Sequence, residues 1–163
     1  MAEGREMPEP TPEHQLLKSH EGRWRVECTY FFNPSHPPMK TTAVETVEMI
    51  GDFFSRSRFV AQMEEFVLEG SATVGYDPHK GKWVSTWIDN TSPVLFHFEG
   101  DRDEESGTLE LVGSGMNPMT GEPTTFRSVE TAVDSDTRRL EMYVTLETGD
   151  EMQMFSYEYF REE

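Results

Sequence analysis

Over most of the chain, hydrophobic and polar residues alternate with a period of two. The first segment is the clearest example, because Trp24, Val26 and Cys28 share one face while Arg25 and Glu27 share the other. Successive side chains of a β-strand point to opposite faces, so this pattern indicates strands with one buried face and one solvated face. Turn residues interrupt the alternation at intervals of about 8–12 residues, which is typical of an antiparallel sandwich or barrel.

The pattern predicts roughly ten strands joined mostly in sequence by short turns. They cover residues 23–32, 41–50, 53–62, 65–76, 82–89, 94–100, 108–113, 124–133, 137–146 and 151–161. Consecutive hairpins close most naturally into an up-and-down barrel, because closure removes the exposed edges of an open sheet. We therefore predict an all-β antiparallel up-and-down barrel, with a two-sheet sandwich as the alternative architecture.

A short helix is expected before the first strand. Thr11 is placed to cap its N-terminus, Pro12 suits its first position, and Gly22 can end it. Residues 1–10 are acidic and rich in proline with almost nothing to bury, so we predict a flexible acidic tail. Residues 11–163 then form a single domain, and 163 residues is an ordinary length for one.

The charge balance excludes several classes of partner. The chain has 14 Lys and Arg against 31 Asp and Glu, a formal net charge of −17. Nucleic acids and anionic membrane surfaces are bound by clustered cationic side chains, so neither is an expected partner. No run of about 18 apolar residues and no secretory h-region is visible, and we expect a cytoplasmic protein.

No metal or cofactor site is predicted. The five histidines lack the spacing that puts two imidazoles on one face, and the single Cys28 allows neither an internal disulfide nor a multi-cysteine site. His97 lies between Phe96 and Phe98 in a strand. If those phenylalanines face the core, His97 faces outward, which disfavours a haem ligand inside the barrel.

Several motifs resemble known barrel families. Gly22-Arg23-Trp24 directly after a short helix resembles the calycin superfamily of lipocalins and fatty-acid-binding-like barrels. This resemblance implies that Trp24 closes one end of the barrel and that Arg161, on the last strand, packs on it. A wider set is similar to a bacterial family known as domain of unknown function 1579. The set comprises Pro12-Glu13-His14, Pro37-Pro38-Met39, Gly75-Tyr76-Asp77, Thr86-Trp87-Ile88-Asp89-Asn90, Glu141-Met142-Tyr143 and Tyr159-Phe160-Arg161.

This second resemblance covers the chain from about Glu13 to Arg161, and it implies a lipocalin-like barrel with no established activity. The chain departs from that family at Gly51-Asp52-Phe53-Phe54, where the family usually has a Gly-Gly-Arg-Phe-like stretch. Any role of that arginine is therefore in doubt here.

The candidate ligand-binding residues are polar or aromatic side chains on the predicted inner faces: Tyr30, Trp87, Asp89, Arg127 and Tyr157. The directions of Tyr157 and Arg127 are open. Either Arg127, Val129 and Thr131 point inward, or Phe126, Ser128 and Glu130 do, and alternation does not choose between them. An inward Arg127 would pair with a ligand carboxylate through two parallel hydrogen bonds, whereas an outward one would pair with a neighbouring Glu.

Three functions are compatible with this pattern. The first is a binding protein that holds a small, mostly apolar or carboxylate-bearing molecule inside the barrel. The second is a cofactor-free lyase or isomerase that uses an interior Tyr, Glu and Arg127 for acid–base chemistry. The third is an interaction protein, in particular a homodimer. Neither a monomer nor a homodimer is excluded by the sequence.

Overall fold

A computed structural model describes Gly4 and residues 6–117 and 120–162. One helix, α1, covers Pro12–Lys18. It is followed by ten strands: β1 (Gly22–Tyr30), β2 (Met39–Ile50), β3 (Phe54–Gln62), β4 (Val67–Asp77), β5 (Lys82–Asp89), β6 (Phe96–Asp103), β7 (Thr108–Met116), β8 (Pro123–Asp134), β9 (Thr137–Thr145) and β10 (Glu151–Arg161).

The ten strands form one closed antiparallel barrel. Each strand pairs with its neighbours in sequence, and β10 pairs with β1. In this closing pair Trp24 lies opposite Arg161 and Tyr30 lies opposite Phe155. The prediction of an all-β, ten-stranded up-and-down barrel with a short N-terminal helix is therefore confirmed, and the sandwich alternative is wrong.

Three boundaries differ from the prediction in an informative way. Residues 101–107 lie between the predicted sixth and seventh strands, where the pattern predicts a turn. The structure continues β6 as far as Asp103, which pairs with β7, and β7 itself continues to Met116. Alternation persists there, with Gly100 and Arg102 on the inner face of β6. The sequence pattern did not predict this continuation because it contains glycines and charged residues, which are both rare in the middle of strands. The helix also ends at Lys18, before Gly22, which instead begins β1.

The barrel has two different ends. At the first, which we call the α1 end, lie the helix and the turns β2–β3, β4–β5, β6–β7 and β8–β9. At the other, the loop end, lie the longer connections over residues 31–38, 63–66, 90–95 and 146–150, together with residues 117 and 120–122. The buried core lies between the two ends, and its most completely buried side chains come from β1 and β3.

The predicted acidic tail falls partly outside the described residues. Gly4 and residues 6–10 are described, and residues 6–10 are exposed and belong to no helix or strand. Within the described ranges, no helix is both long and apolar enough to span a bilayer.

His14 joins the helix cap to the barrel wall. The Thr11 backbone N–H donates to His14 Nδ1 over 2.9 Å, so the ring proton lies on Nε2, which is 2.9 Å from the Tyr76 carbonyl oxygen. The imidazole also packs edge-on against the Phe53 ring. His14 is 2% exposed and serves as a structural residue of the α1 end.

We expect His14→Ala to lower the free energy of unfolding by about 2–4 kcal/mol, because it removes a buried side chain, a cap contact and the hydrogen bond to the partly buried Tyr76 carbonyl. Urea unfolding followed by circular dichroism measures the change. Gln15→Ala, on the exposed face of the same helix, is the matched control and should change stability by less than about 0.5 kcal/mol. Equal effects of the two substitutions would contradict the anchoring role of His14.

Candidate ligand cavity

The interior of the barrel contains a cavity of about 590 Å³. All ten strands and the helix contribute lining residues, and most of the lining side chains are aromatic or aliphatic. Because alternate residues of every strand point inward, the cavity wall consists of the residues that the period-two pattern places on the apolar face. Its volume lies within the range of about 300–1,000 Å³ found for small-molecule pockets.

Aromatic rings form one wall of the cavity towards the loop end. The Tyr157 ring stacks between Phe59, at 5.2 Å between centroids, and Phe155, at 4.3 Å. The Tyr30 ring stacks on Phe32 at 5.0 Å. Such a wall presents flat, rigid apolar surface to a ligand at little cost in conformational entropy.

The two predicted tyrosines, Tyr30 and Tyr157, are brought together by the closing strand pair. Their hydroxyl oxygens are 2.8 Å apart in the buried interior. Burial raises the pKa of both hydroxyls above the usual value for tyrosine. Both therefore stay protonated at neutral pH, and one is always the hydrogen-bond donor of the other.

Trp87 and Asp89 are also brought together, as a pair on the inner face of β5. The Trp87 indole N–H donates to Asp89 Oδ2 over 2.8 Å, and the Thr91 backbone N–H donates to Asp89 Oδ1. The indole lies against Gly70, where an added Cβ would be 2.2 Å from the ring. Asp89 therefore fixes the orientation of Trp87, and the glycine provides the space that the indole occupies.

Trp24 and Arg161 meet at the α1 end. The Arg161 guanidinium lies 4.2 Å from the centroid of the Trp24 ring, and its terminal nitrogens donate to the backbone carbonyls of Glu21 and Ser19. The Trp24 indole donates to the His20 carbonyl over 2.9 Å. Both side chains bind the segment that connects α1 to β1. This end of the barrel is therefore covered by α1, by that segment and by the last residue of β10.

A buried ionic cluster, formed by Arg138, Glu45 and Glu130, lies beside that closure. Arg138 Nη2 donates to Glu45 Oε2 over 2.7 Å, and Nη1 donates to Glu130 Oε1 over 3.3 Å. The guanidinium also lies 3.8 Å from the Tyr159 ring centroid and 4.7 Å from that of Trp24. Two carboxylates and two aromatic faces thus compensate one buried cation.

His20 lies at the edge of this cluster, with Nδ1 3.9 Å from Glu130 Oε1. Burial lowers the pKa of His20, and the positive charges of Arg138 and Arg161 act in the same direction. Glu130 opposes them, but the imidazole remains neutral at pH 7 because the net shift is downward from an ordinary value of 6.5.

The structure corrects the prediction for Arg127. Its side chain points out of the barrel, where Nε and Nη2 donate to the two oxygens of Glu151 over 2.8 and 2.9 Å. Phe126 and Ser128 are the buried residues of β8, and Phe126, Ser128 and Glu130 line the cavity. Arg127 therefore belongs to the outer wall, and the enzyme hypothesis that required it inside the barrel is not supported.

The sequence pattern did not predict Glu45 and Arg138 as interior residues. Glu45 and Arg138 occupy inward positions of their strands, but charged side chains are almost always exposed unless they are paired. The alternation did contain a signal for Glu45, because Glu45 lies on the same face of β2 as the apolar residues Ala43 and Val47. The partner on β9 is 93 residues away in sequence, and only the closed barrel places it within reach.

The remaining candidates for chemistry are structural or exposed. His97 is on the outer face of β6 and is exposed. Among the described residues, no group of three or more His, Cys, Asp or Glu side chains is arranged to hold a metal ion. Cys28 is buried in the core, and burial raises the pKa of its thiol to about 12.

These features define a class of protein: a lipocalin-like, ten-stranded β-barrel with an apolar interior cavity closed at one end by a helix, a tryptophan and an arginine. The chain belongs to the family described as "Protein of unknown function (DUF1579)", whose sequence model matches residues 9–161. No curated protein sequence matches the chain significantly.

The solved structures that are similar to the barrel include the following two. The first is Rv2717c from M. tuberculosis, with a TM-score of 0.71 and 12% identity over 95% of this chain and 100% of that chain. The second is the S-type phycobiliprotein lyase CpeS from Guillardia theta, with a TM-score of 0.61 and 11% identity over 94% of each chain. At such low identity, the likeness establishes the shared fold alone.

We expect the Cys28 thiol to be inert in the folded protein. A thiol with a pKa of about 12 is ionised to about one part in ten thousand at pH 8. Treatment with 5,5′-dithiobis(2-nitrobenzoic acid) at pH 8 should release almost no thiolate from the native protein and about one equivalent in concentrated urea. Rapid stoichiometric reaction of the native protein would contradict the closed packing around β1.

Proposed function

We propose that this protein binds a small, mostly apolar molecule inside the barrel. The observation that supports this function is the cavity of about 590 Å³ with its mainly aromatic and aliphatic lining. A well-packed domain leaves few voids larger than a water molecule, so a space of this size in the centre of a small protein needs an occupant. An apolar molecule of suitable size would gain free energy from leaving water.

The polar groups around the cavity favour binding over catalysis. The Tyr30 and Tyr157 hydroxyls are paired with each other, and Asp89 accepts hydrogen bonds from Trp87 and Thr91. Arg138 donates to two carboxylates. Because these groups are already engaged, they shape and orient the walls, and none of them is a free base poised for proton transfer. The lyase name of CpeS belongs to that protein and does not transfer at 11% identity.

Cavity filling provides a direct test. Ser85 and Thr86 are neighbours on β5, but Ser85 lines the cavity, whereas Thr86 pairs with the outward residue His97 and faces the outer wall. We expect Ser85→Phe to weaken the binding of Nile red, a neutral dye whose fluorescence rises in apolar surroundings, by at least about tenfold. The added ring would occupy space that the dye requires.

Thr86→Phe adds the same ring on the opposite face of the sheet and should leave the dye affinity within about twofold of the original. Fluorescence titration measures both affinities, and thermal unfolding verifies that both variants are folded. Loss of binding in Thr86→Phe alone would place the dye on the outer wall and refute the proposal. Absence of dye binding by the unmodified protein would also refute it.

A further inference from the structure

The charged side chains that line the cavity are divided unevenly between its two ends. Those at the loop end are Glu64, Glu65 and Asp89, and all are acidic. Both arginines of the lining, Arg102 and Arg138, lie at the α1 end. Glu45 and Glu130 also line the α1 end, so the formal charges of that end sum to zero, whereas the loop end carries only negative charges.

Arg138 is not available to a ligand. Its two terminal nitrogens donate to Glu45 and Glu130, and two aromatic faces cover the guanidinium. Its Nε atom has no hydrogen-bond partner among the described residues, but that atom is buried. Arg138 thus completes the ionic cluster and does not present a donor to the cavity.

Arg102 differs, because no partner compensates it. It lies on the inner face of β6, opposite Leu109, and its side chain is partly buried. Within the part of the chain that the structure describes, Arg102 has neither a hydrogen bond nor an ion pair. The guanidinium lies beside Gly107, another lining residue, where an added Cβ would be 3.6 Å from Arg102 Nη2. A planar, five-donor group is therefore presented at the α1 end of the cavity.

We propose that the ligand is an elongated carboxylate whose anionic group pairs with Arg102 and whose apolar body extends towards the loop end. This inference rests on the proposed binding function. A guanidinium binds a carboxylate through two parallel charge-assisted hydrogen bonds, a geometry that a neutral polar group does not reproduce. Glu64, Glu65 and Asp89 repel an anion at the loop end, so the charge distribution also sets the direction in which the ligand lies.

The cavity has the length that such a molecule needs. Arg102 and Phe96 line it on the same strand. They are six positions apart, which corresponds to about 20 Å at roughly 3.3 Å per residue. The large negative net charge does not prevent binding, because at physiological ionic strength interactions between exposed charges fade beyond about 8 Å.

The test compares cis-parinaric acid, a fluorescent long-chain carboxylic acid, with its methyl ester, which has the same apolar body and no charge. We expect the unmodified protein to prefer the acid. Arg102→Gln should weaken binding of the acid by about 10- to 100-fold and leave the affinity for the ester within about twofold. Arg102→Lys should fall between these values, because an ammonium group keeps the charge but loses the bidentate geometry.

Arg139→Gln is the matched control. It removes the same charge from an exposed outer-wall residue that pairs with Glu158, and it should leave both affinities unchanged. Unchanged binding of the ester also verifies that the Arg102 variants are folded.

Equal affinities of the unmodified protein for acid and ester would overturn the inference, as would an unchanged affinity of Arg102→Gln for the acid. If neither compound binds while Nile red does, the cavity binds apolar molecules and the assignment of a carboxylate to Arg102 is wrong. If Nile red also fails to bind, the proposed function itself fails.

Discussion

The pairing of β10 with β1 is the interaction on which the rest of the structure depends. It closes the sheet, so that all ten strands have two hydrogen-bonded neighbours and one common interior. The same pairing places Trp24 opposite Arg161 and brings the Tyr30 and Tyr157 hydroxyls into contact. Without this closure the inner faces would belong to an open sheet with two exposed edges, and neither the helix-capped end nor the cavity would exist.

The number of strands in the closed barrel also explains why side chains do not fill its interior. A barrel of eight strands has an interior that side chains just fill or that holds one small ligand, and diameter grows with strand number. Several inward positions of this barrel carry small residues, including Ser57, Ala72, Ser85 and Ser128. Large aromatic side chains of β1, β3 and β10 pack on one another. The cavity is therefore a consequence of strand number and of where small residues occur.

The capping residues predicted the helix, and the sequence leaves the direction of Tyr157 on β10 open. Alternation predicted the strands and the inward positions of Tyr30, Trp87 and Asp89, because one face of β1 and of β5 is clearly more apolar. It did not assign Arg127, since both faces of β8 mix apolar and polar residues. The Glu45–Arg138 pair was missed for a different reason. Each member is an unfavourable core residue by itself and becomes acceptable only through the other, and that mutual dependence joins strands far apart in sequence.

The two arginines at the α1 end of the interior differ in how their charge is compensated. At the α1 end the barrel buries Arg138 at the cost of two carboxylates and two aromatic faces, an arrangement complete within the protein. Arg102 lies at the same end without such compensation from the described residues. A partly desolvated guanidinium without an acceptor is unfavourable in the empty protein. Under the proposed function, binding of an anion would lower that cost, so the same residue would destabilise the ligand-free protein and favour the complex.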